Sequence, residues 1–125
     1  MKSFVNFTKS MDDYSSREFS SDEMCNLGSF FSTDYYLYGY QFLMKWIQDP
    51  EQHCTNANLT NLGKENRCIS IGYLFRKEQE QTMTFDLPVE KFIKLLNDWE
   101  RVTKEEPQNI TITKNGNTVI VKGSN

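Results

Sequence analysis

The sequence predicts an α+β domain in which an antiparallel sheet of about four strands carries an amphipathic helix on one face. Two observations in the C-terminal half predict it. Two pairs of segments alternate apolar and polar residues, as half-buried strands do, and a segment of helical spacing separates the pairs. The order is therefore ββαββ. We expect a mainly helical N-terminal half, and a single domain over residues 1–125.

The second strand pair is NITITKNGNTVIVKG, residues 109–123. Its centre is Asn115-Gly116, a dipeptide favoured in the type I′ turns of two-residue hairpins. A loop at these two positions pairs Ile112 with Val119 and leaves every apolar side chain but one on a single face. That face consists of Ile110, Ile112, Val119 and Val121.

The first strand pair is RCISIGYLFRK followed by TMTFDL. We expect a hairpin around Glu78-Gln79-Glu80, with an odd number of loop residues so that both apolar rows share one face. The rows are Ile69, Ile71, Tyr73 and Phe75 on one strand, and Met83, Phe85 and Leu87 on the other.

The segment between the pairs, DLPVEKFIKLLNDWERVTKEEP, predicts a helix packed on the sheet. Pro88 suits its first turn, Glu90 and Lys94 form an i,i+4 ion pair, and Pro107 prevents continuation. The apolar stripe is Val89, Phe92, Leu95, Leu96, Trp99 and Val102.

Two helices are predicted in the N-terminal half. SSDEMCNLG forms a short helix that ends at Gly28, and TDYYLYGYQFLMKWIQDP forms a longer one that ends at Asp49-Pro50. The cap of the longer helix is Ser32, Thr33 or Asp34. Residues 53–66, rich in Asn and Thr, predict a loop.

On a regular helical wheel the longer helix has two apolar rows. The first, which we assign to the core, is Tyr36, Tyr40, Leu43, Met44 and Ile47. The second is Tyr35, Tyr38, Phe42 and Trp46. Either the N-terminal phenylalanines cover this second row, or Tyr35 and Tyr38 stay exposed and anchor a protein partner. A strand over residues 35–44 is a further alternative, because aromatic residues favour strands.

Seventeen acidic against fourteen basic residues give a net charge of −3. This balance disfavours direct nucleic-acid binding and favours a basic protein partner. A surface of acids around aromatic anchors would complement the cleft of a nuclease. The candidate partner-binding residues are Asp12, Asp13, Asp34, Tyr35, Tyr38, Glu78 and Glu80.

No catalytic function is predicted. His53 is the only histidine and has no second ligand at metal-binding spacing, and no nucleotide-binding or nucleophile motif occurs. We therefore expect no enzymatic activity, cofactor or metal. Three scattered cysteines indicate reduced, buried thiols, and without a signal peptide or membrane span we expect a cytoplasmic protein.

The stretch MTFDLPVEKFIKLLNDWERVTKEEPQNITITKNGNTVIVKG, about a third of the chain, resembles the C-terminal part of small bacterial immunity proteins of contact-dependent growth inhibition and related polymorphic-toxin systems. The resemblance implies an antitoxin that binds and neutralises the C-terminal domain of its cognate toxin, often a nuclease. No fixed motif marks binding residues in these proteins. The alternative is a non-enzymatic interaction or adaptor module of a bacterial assembly, which would accept a strand at its hairpin edge.

Overall fold

A computed structural model describes residues 2–10, 13–19, 22–74 and 85–125 of the chain. The fold is α+β, as predicted, and contains two four-stranded antiparallel sheets. The strands are β1 (Lys2–Ser10), β2 (Asp13–Phe19), β3 (Cys54–Asn56), β4 (Thr60–Glu65), β5 (Cys68–Tyr73), β6 (Phe85–Pro88), β7 (Asn109–Asn115) and β8 (Thr118–Ser124). The first sheet has the strand order β2-β1-β7-β8 and the second β3-β4-β5-β6. The helices are α1 (Asp22–Ser29), a π-helix (Phe30–Asp34), α2 (Tyr35–Tyr38), α3 (Tyr40–Gln48) and α4 (Val89–Lys104).

The two strand pairs predicted in the C-terminal half both form, but they belong to different sheets. β5 and β6 complete the second sheet, whereas β7 and β8 complete the first. The N-terminal half supplies the other two strands of each sheet, so it is not mainly helical, and that prediction was wrong. The single predicted sheet fails because β1 pairs with β7, a long-range contact that local periodicity does not reveal.

The hairpin of β7 and β8 has the predicted faces but a different register. Ile112 lies opposite Val121, not Val119, because the two-residue turn is Gly116-Asn117. Gly116 has a φ of 63°, which suits the first central position of a type II′ turn. Moving the turn by one residue shifts each partner by two positions, and this leaves every side chain on its predicted face.

The second sheet overturns one prediction and confirms another. Residues 53–66 are not a loop, because β3 and β4 form a hairpin there, and β4 turns into β5 at Asn66 and Arg67, both with positive φ. The pairing of β5 with β6 is confirmed: Ile69 faces Leu87, and Ile71 faces Phe85. The predicted turn at Glu78-Gln79-Glu80 lies outside the described residues.

Helix α4 is confirmed, and it packs against β5, β6, β8 and α3. The predicted pair of Glu90 with Lys94 does not form. Instead the Lys94 ammonium lies 2.6 Å from the Asp98 carboxylate, one turn further along. The buried stripe is Phe92, Leu95, Leu96, Trp99 and Val102, with Val89 half-buried at the start.

Trp99 is fully buried at the centre of an aromatic cluster. Its ring stacks on Phe31 at 4.3 Å between centroids and meets the edge of Phe7 at 5.0 Å. Tyr14 and Tyr35 lie 5.9 and 6.5 Å away. Such pairs add to the burial of apolar area, and they join β1, β2, the π-helix, α2 and α4 in one core.

Residues 22–38 and 40–48 are helical, but the helix breaks lie at other positions than those of the two predicted helices. Gly28 does not end α1, because the chain continues through the π-helix into α2. The break comes at Gly39, whose φ and ψ of 84° and 148° are outside the helical region. The predicted end of the longer helix is confirmed, since α3 ends at Gln48.

Candidate protein-binding surface

Large apolar side chains are exposed on both sides of Gly39. Leu37 is 63% exposed, Tyr36 49% and Phe42 47%. Tyr38 is half-buried beside them. We call these four residues, Tyr36, Leu37, Tyr38 and Phe42, the α2–α3 surface. Tyr38 stacks on Phe42 and lines one cleft with Leu37, and exposed apolar side chains that lie together are typical of sites of protein interaction.

The break at Gly39 explains why the regular wheel misplaced these residues. The π-helix adds a residue to its turn, and Gly39 redirects the chain, so no single 100° repeat runs through residues 33–48. Tyr36 was assigned to the core and is exposed, whereas Tyr35 was offered as an exposed anchor and is buried at 3% exposure. Gly39 was the signal in the sequence that could have indicated the break.

The rings of Tyr38 and Phe42 stack on each other within this surface. Their rings are parallel within 10° and their centroids are 5.6 Å apart. The Tyr38 hydroxyl is buried near Thr55, but among the described residues it has no partner in hydrogen-bond geometry. Burial first, and then the negative charge of Asp34, raise the pKa of Tyr38 to about 12.

Two clefts flank the ring pair. A cleft of about 560 Å³ lies between Leu37, Tyr38 and the β3–β4 turn at residues 56–58. A second, of about 340 Å³, is lined by Phe42 and Trp46 together with Lys45, Asp49, Gln52 and Thr55. Each cleft has an aromatic wall and a polar margin, the arrangement in which partner side chains are anchored.

Asp34 is not part of this surface. It is fully buried, and its carboxylate accepts hydrogen bonds from the Leu59 N–H (3.0 Å), the Thr60 N–H (2.6 Å) and the Thr60 hydroxyl (2.6 Å). The carboxylate thus holds the β3–β4 turn against the π-helix. The prediction that Asp34 contacts a partner was wrong, because its side chain is fully buried and a partner cannot reach it.

Among the predicted site residues whose side chains the structure describes, Tyr38 lies on the α2–α3 surface. Tyr35 packs in the core beside Trp99, where burial and the nearby Glu100 carboxylate raise its pKa well above the ordinary tyrosine value. Asp13 begins β2, and its side chain is not described. Asp12, Glu78 and Glu80 lie outside the described residues, so their predicted role stays a prediction.

A groove of about 870 Å³ at the end of α3 is the place where a catalytic site would be sought. His53 lines it and is exposed, together with Asp49, Lys64, Glu65 and Arg67. The Lys64 ammonium in this groove has a structural role. It donates hydrogen bonds to the carbonyl oxygens of Trp46, Ile47 and Asp49 at the last turn of α3. Such contacts stabilise a helix C-terminus.

Lys64, which lines this groove, is engaged by neighbouring groups of the fold. Burial lowers the pKa of Lys64, but its ammonium is held by carbonyls and lies 4.7 Å from the Trp46 ring centroid. Among the described residues no three His, Cys, Asp or Glu side chains are grouped as metal ligands. Cys54 is an exposed thiol and Cys68 a half-buried one, so the prediction of buried thiols was wrong for Cys54.

The comparisons with known proteins do not assign a family. No protein-family model matches the chain, and no curated protein or solved structure is significantly similar to it. Across the part of the chain that the structure describes, no helix combines the length and apolarity needed to cross a membrane.

Proposed function

We propose that this chain is an inhibitor protein that binds another protein through the α2–α3 surface. The exposure of Leu37, Tyr36 and Phe42 around the Tyr38 ring carries this proposal. Aromatic and aliphatic side chains that are held by a helix bury large area at low entropic cost when a partner covers them. The two flanking clefts supply space for partner side chains.

The proposed partner is the C-terminal domain of a cognate bacterial toxin, and its proposed activity is that of a nuclease. The sequence resemblance to immunity proteins supports the class of partner, and the net charge of −3 supports a basic one. We propose that the acids at Asp12, Asp13, Glu78 and Glu80 steer association, while the α2–α3 surface supplies the lasting contact.

The test uses the toxin domain encoded by the gene next to this one. The full chain and that domain should elute together in size-exclusion chromatography, and the complex should lose the activity of the toxin. Leu37→Asp places a charge at the most exposed side chain of this surface, so we expect Kd to rise ~100-fold or more. Phe4→Asp is the matched control, because Phe4 is also exposed but lies on β1, away from this surface.

Two results would overturn the proposal. One is a Leu37→Asp chain that still binds the toxin domain with unchanged affinity. The other is the absence of any complex when both proteins are present at about 100 μM. This concentration is far above the dissociation constant expected of an inhibitor. Separately, Glu78→Lys with Glu80→Lys should slow association and weaken its dependence on salt, and unchanged kinetics would remove these acids from the proposal.

A further inference from the structure

In the part of the chain that the structure describes, the two sheets have four edge strands, and three of these have features that disfavour pairing with another chain. β3 has only three residues, and β6 has four and ends in Pro88. The pairing of β2 with β1 is interrupted by a register shift, and β2 contains the charged residues Asp13, Arg17 and Glu18. Short length, proline, irregularity and charge are the usual protections of sheet edges.

The fourth edge, β8, lacks these protections. It has seven residues, no proline and an uninterrupted register with β7, and its only charge is Lys122. Ile120 at its centre is 57% exposed. A long, regular edge with an exposed apolar residue favours the addition of another strand.

The hydrogen-bond pattern of the first sheet shows which backbone N–H and C=O groups of β8 point away from β7. β7 bonds to β1 through its even-numbered residues, as the bond from the Lys9 N–H to the Gln108 carbonyl shows. Its odd-numbered residues therefore bond to β8, and their partners are the even-numbered residues 118–124. The N–H and C=O groups of Val119, Val121 and Gly123 consequently point to the free edge.

We propose that the chain self-associates by antiparallel pairing of β8 with β8 of a second copy, about a two-fold axis at Val121. The free groups at Val119, Val121 and Gly123 are symmetric about Val121, so an identical strand presents donors opposite acceptors throughout. This register forms about six backbone hydrogen bonds and joins the two first sheets into one.

The side chains fit the same register, and this is why a second copy is the proposed occupant. Each Val119 lies opposite Gly123 of the second copy, a branched residue against a small one. Each Lys122 lies opposite Ile120 of the second copy, so the only charges on the strand do not face each other and the lysine stem covers the exposed apolar group. The interface is self-complementary, as a two-fold contact requires.

Sedimentation velocity of the full chain, from about 1 to 500 μM, tests the proposal. The mass should rise from 14.7 kDa toward twice that value. Ile120→Lys puts like charges opposite each other at two places, so the dissociation constant should rise about ten-fold. Adding Lys122→Glu should restore association, because position 120 then faces an opposite charge. Thr113→Lys, on the same face but one strand inward, is the control that should leave association unchanged.

Amide hydrogen exchange gives a second measurement at the residues named. The amides of Val119 and Val121 should exchange more slowly at concentrations where the mass has doubled. A mass of one chain throughout the range would overturn the proposal. So would a doubled mass that ignores Ile120→Lys, or edge amides that become protected only when a different protein is added. None of these results bears on toxin binding, which the α2–α3 surface accounts for independently.

Discussion

Asp34 shows how one residue can be read wrongly from a correct local pattern. An acid that precedes an aromatic helical run is typical of a helix N-cap at the surface. In the fold the chain is already helical at Asp34, and the carboxylate instead binds donors at residues 59 and 60. Those donors lie some 25 positions further along the chain, and no local pattern predicts such a contact.

The three hydrogen-bond donors that contact the Asp34 carboxylate predict a large stability effect. Asp34→Ala leaves two backbone N–H groups and a hydroxyl without an acceptor in the interior, so the free energy of unfolding should fall by about 3 kcal/mol. Urea unfolding followed by circular dichroism measures it. Asp49→Ala is the control, since Asp49 accepts one bond from the exposed Glu51 N–H, and a change within about 0.5 kcal/mol is expected. Equal losses in the two variants would contradict the role assigned to Asp34.

The Tyr38 hydroxyl predicts a loss of stability at alkaline pH. Its pKa is raised from 10.0 to about 12 in the fold, so between these values the unfolded chain is ionised while the folded chain keeps its proton. The stabilisation is fully present below pH 10 and is lost as the pH rises through 12. Its size is about 1–2 kcal/mol once solvent access is considered.

Tyr38→Phe isolates this contribution. Urea unfolding at a series of pH values from 8 to about 11 should show a steeper decline for the wild type than for the variant. At pH 8 the variant should be as stable as the wild type or more so, because the lost hydroxyl has no hydrogen-bond partner among the described residues. Parallel pH profiles would show that this hydroxyl keeps its ordinary pKa.

Helices and strands that are marked by the spacing of their own apolar residues were predicted from the sequence. Those that depend on contacts with residues distant in the chain were not. The stripe of α4 and the alternation of β5 to β8 identified these elements, because each buries one face whichever neighbour covers it. The β3–β4 hairpin was missed because its three- and six-residue strands are rich in Asn and Thr, and only Leu62 and Thr60 are buried in them. Of the candidate site, Tyr38 was predicted, whereas Tyr36, Leu37 and Phe42 were not, because the orientation of these side chains depends on the helix break at Gly39.

Gly39 therefore predicts an effect on both stability and binding. A Cβ at this position would meet nothing within 4 Å, so the cost of Gly39→Ala comes from its φ of 84° alone and should be about 1–2 kcal/mol. Gly63→Ala is the matched control, because its Cβ would have only one neighbour, at 4.0 Å, and no positive φ is required there. Thermal unfolding of both variants measures the difference, and an equal stability would mean that the break at Gly39 is not conformationally demanding. If the α2–α3 surface binds the toxin domain, Gly39→Ala should also weaken that binding.

At the scale of the molecule, the two sheets are joined through one interior. The Asn26 amide on α1 donates to the Ile71 carbonyl of the second sheet at 3.0 Å, and Asp34 binds the β3–β4 turn. On the other side, Phe31 of the π-helix stacks on Trp99 against Phe7 of the first sheet. The helical segment from α1 to α2 thus contacts both sheets, and the buried apolar residues form a single cluster.

This shared interior predicts one cooperative unfolding transition, as expected of a single domain over residues 1–125. The two tryptophans report on the two sheets separately. Trp99 lies against Phe7 of the first sheet, and Trp46 lies beneath Lys64 of the second. In a urea titration followed by NMR, the indole N–H signals of both should disappear with the same midpoint, because neither sheet can bury its apolar face without the helical segment. Asp34→Ala should move both midpoints together, although the carboxylate contacts only the second sheet. Two midpoints that separate, or a variant that shifts Trp46 alone, would show that the sheets are independent folding units.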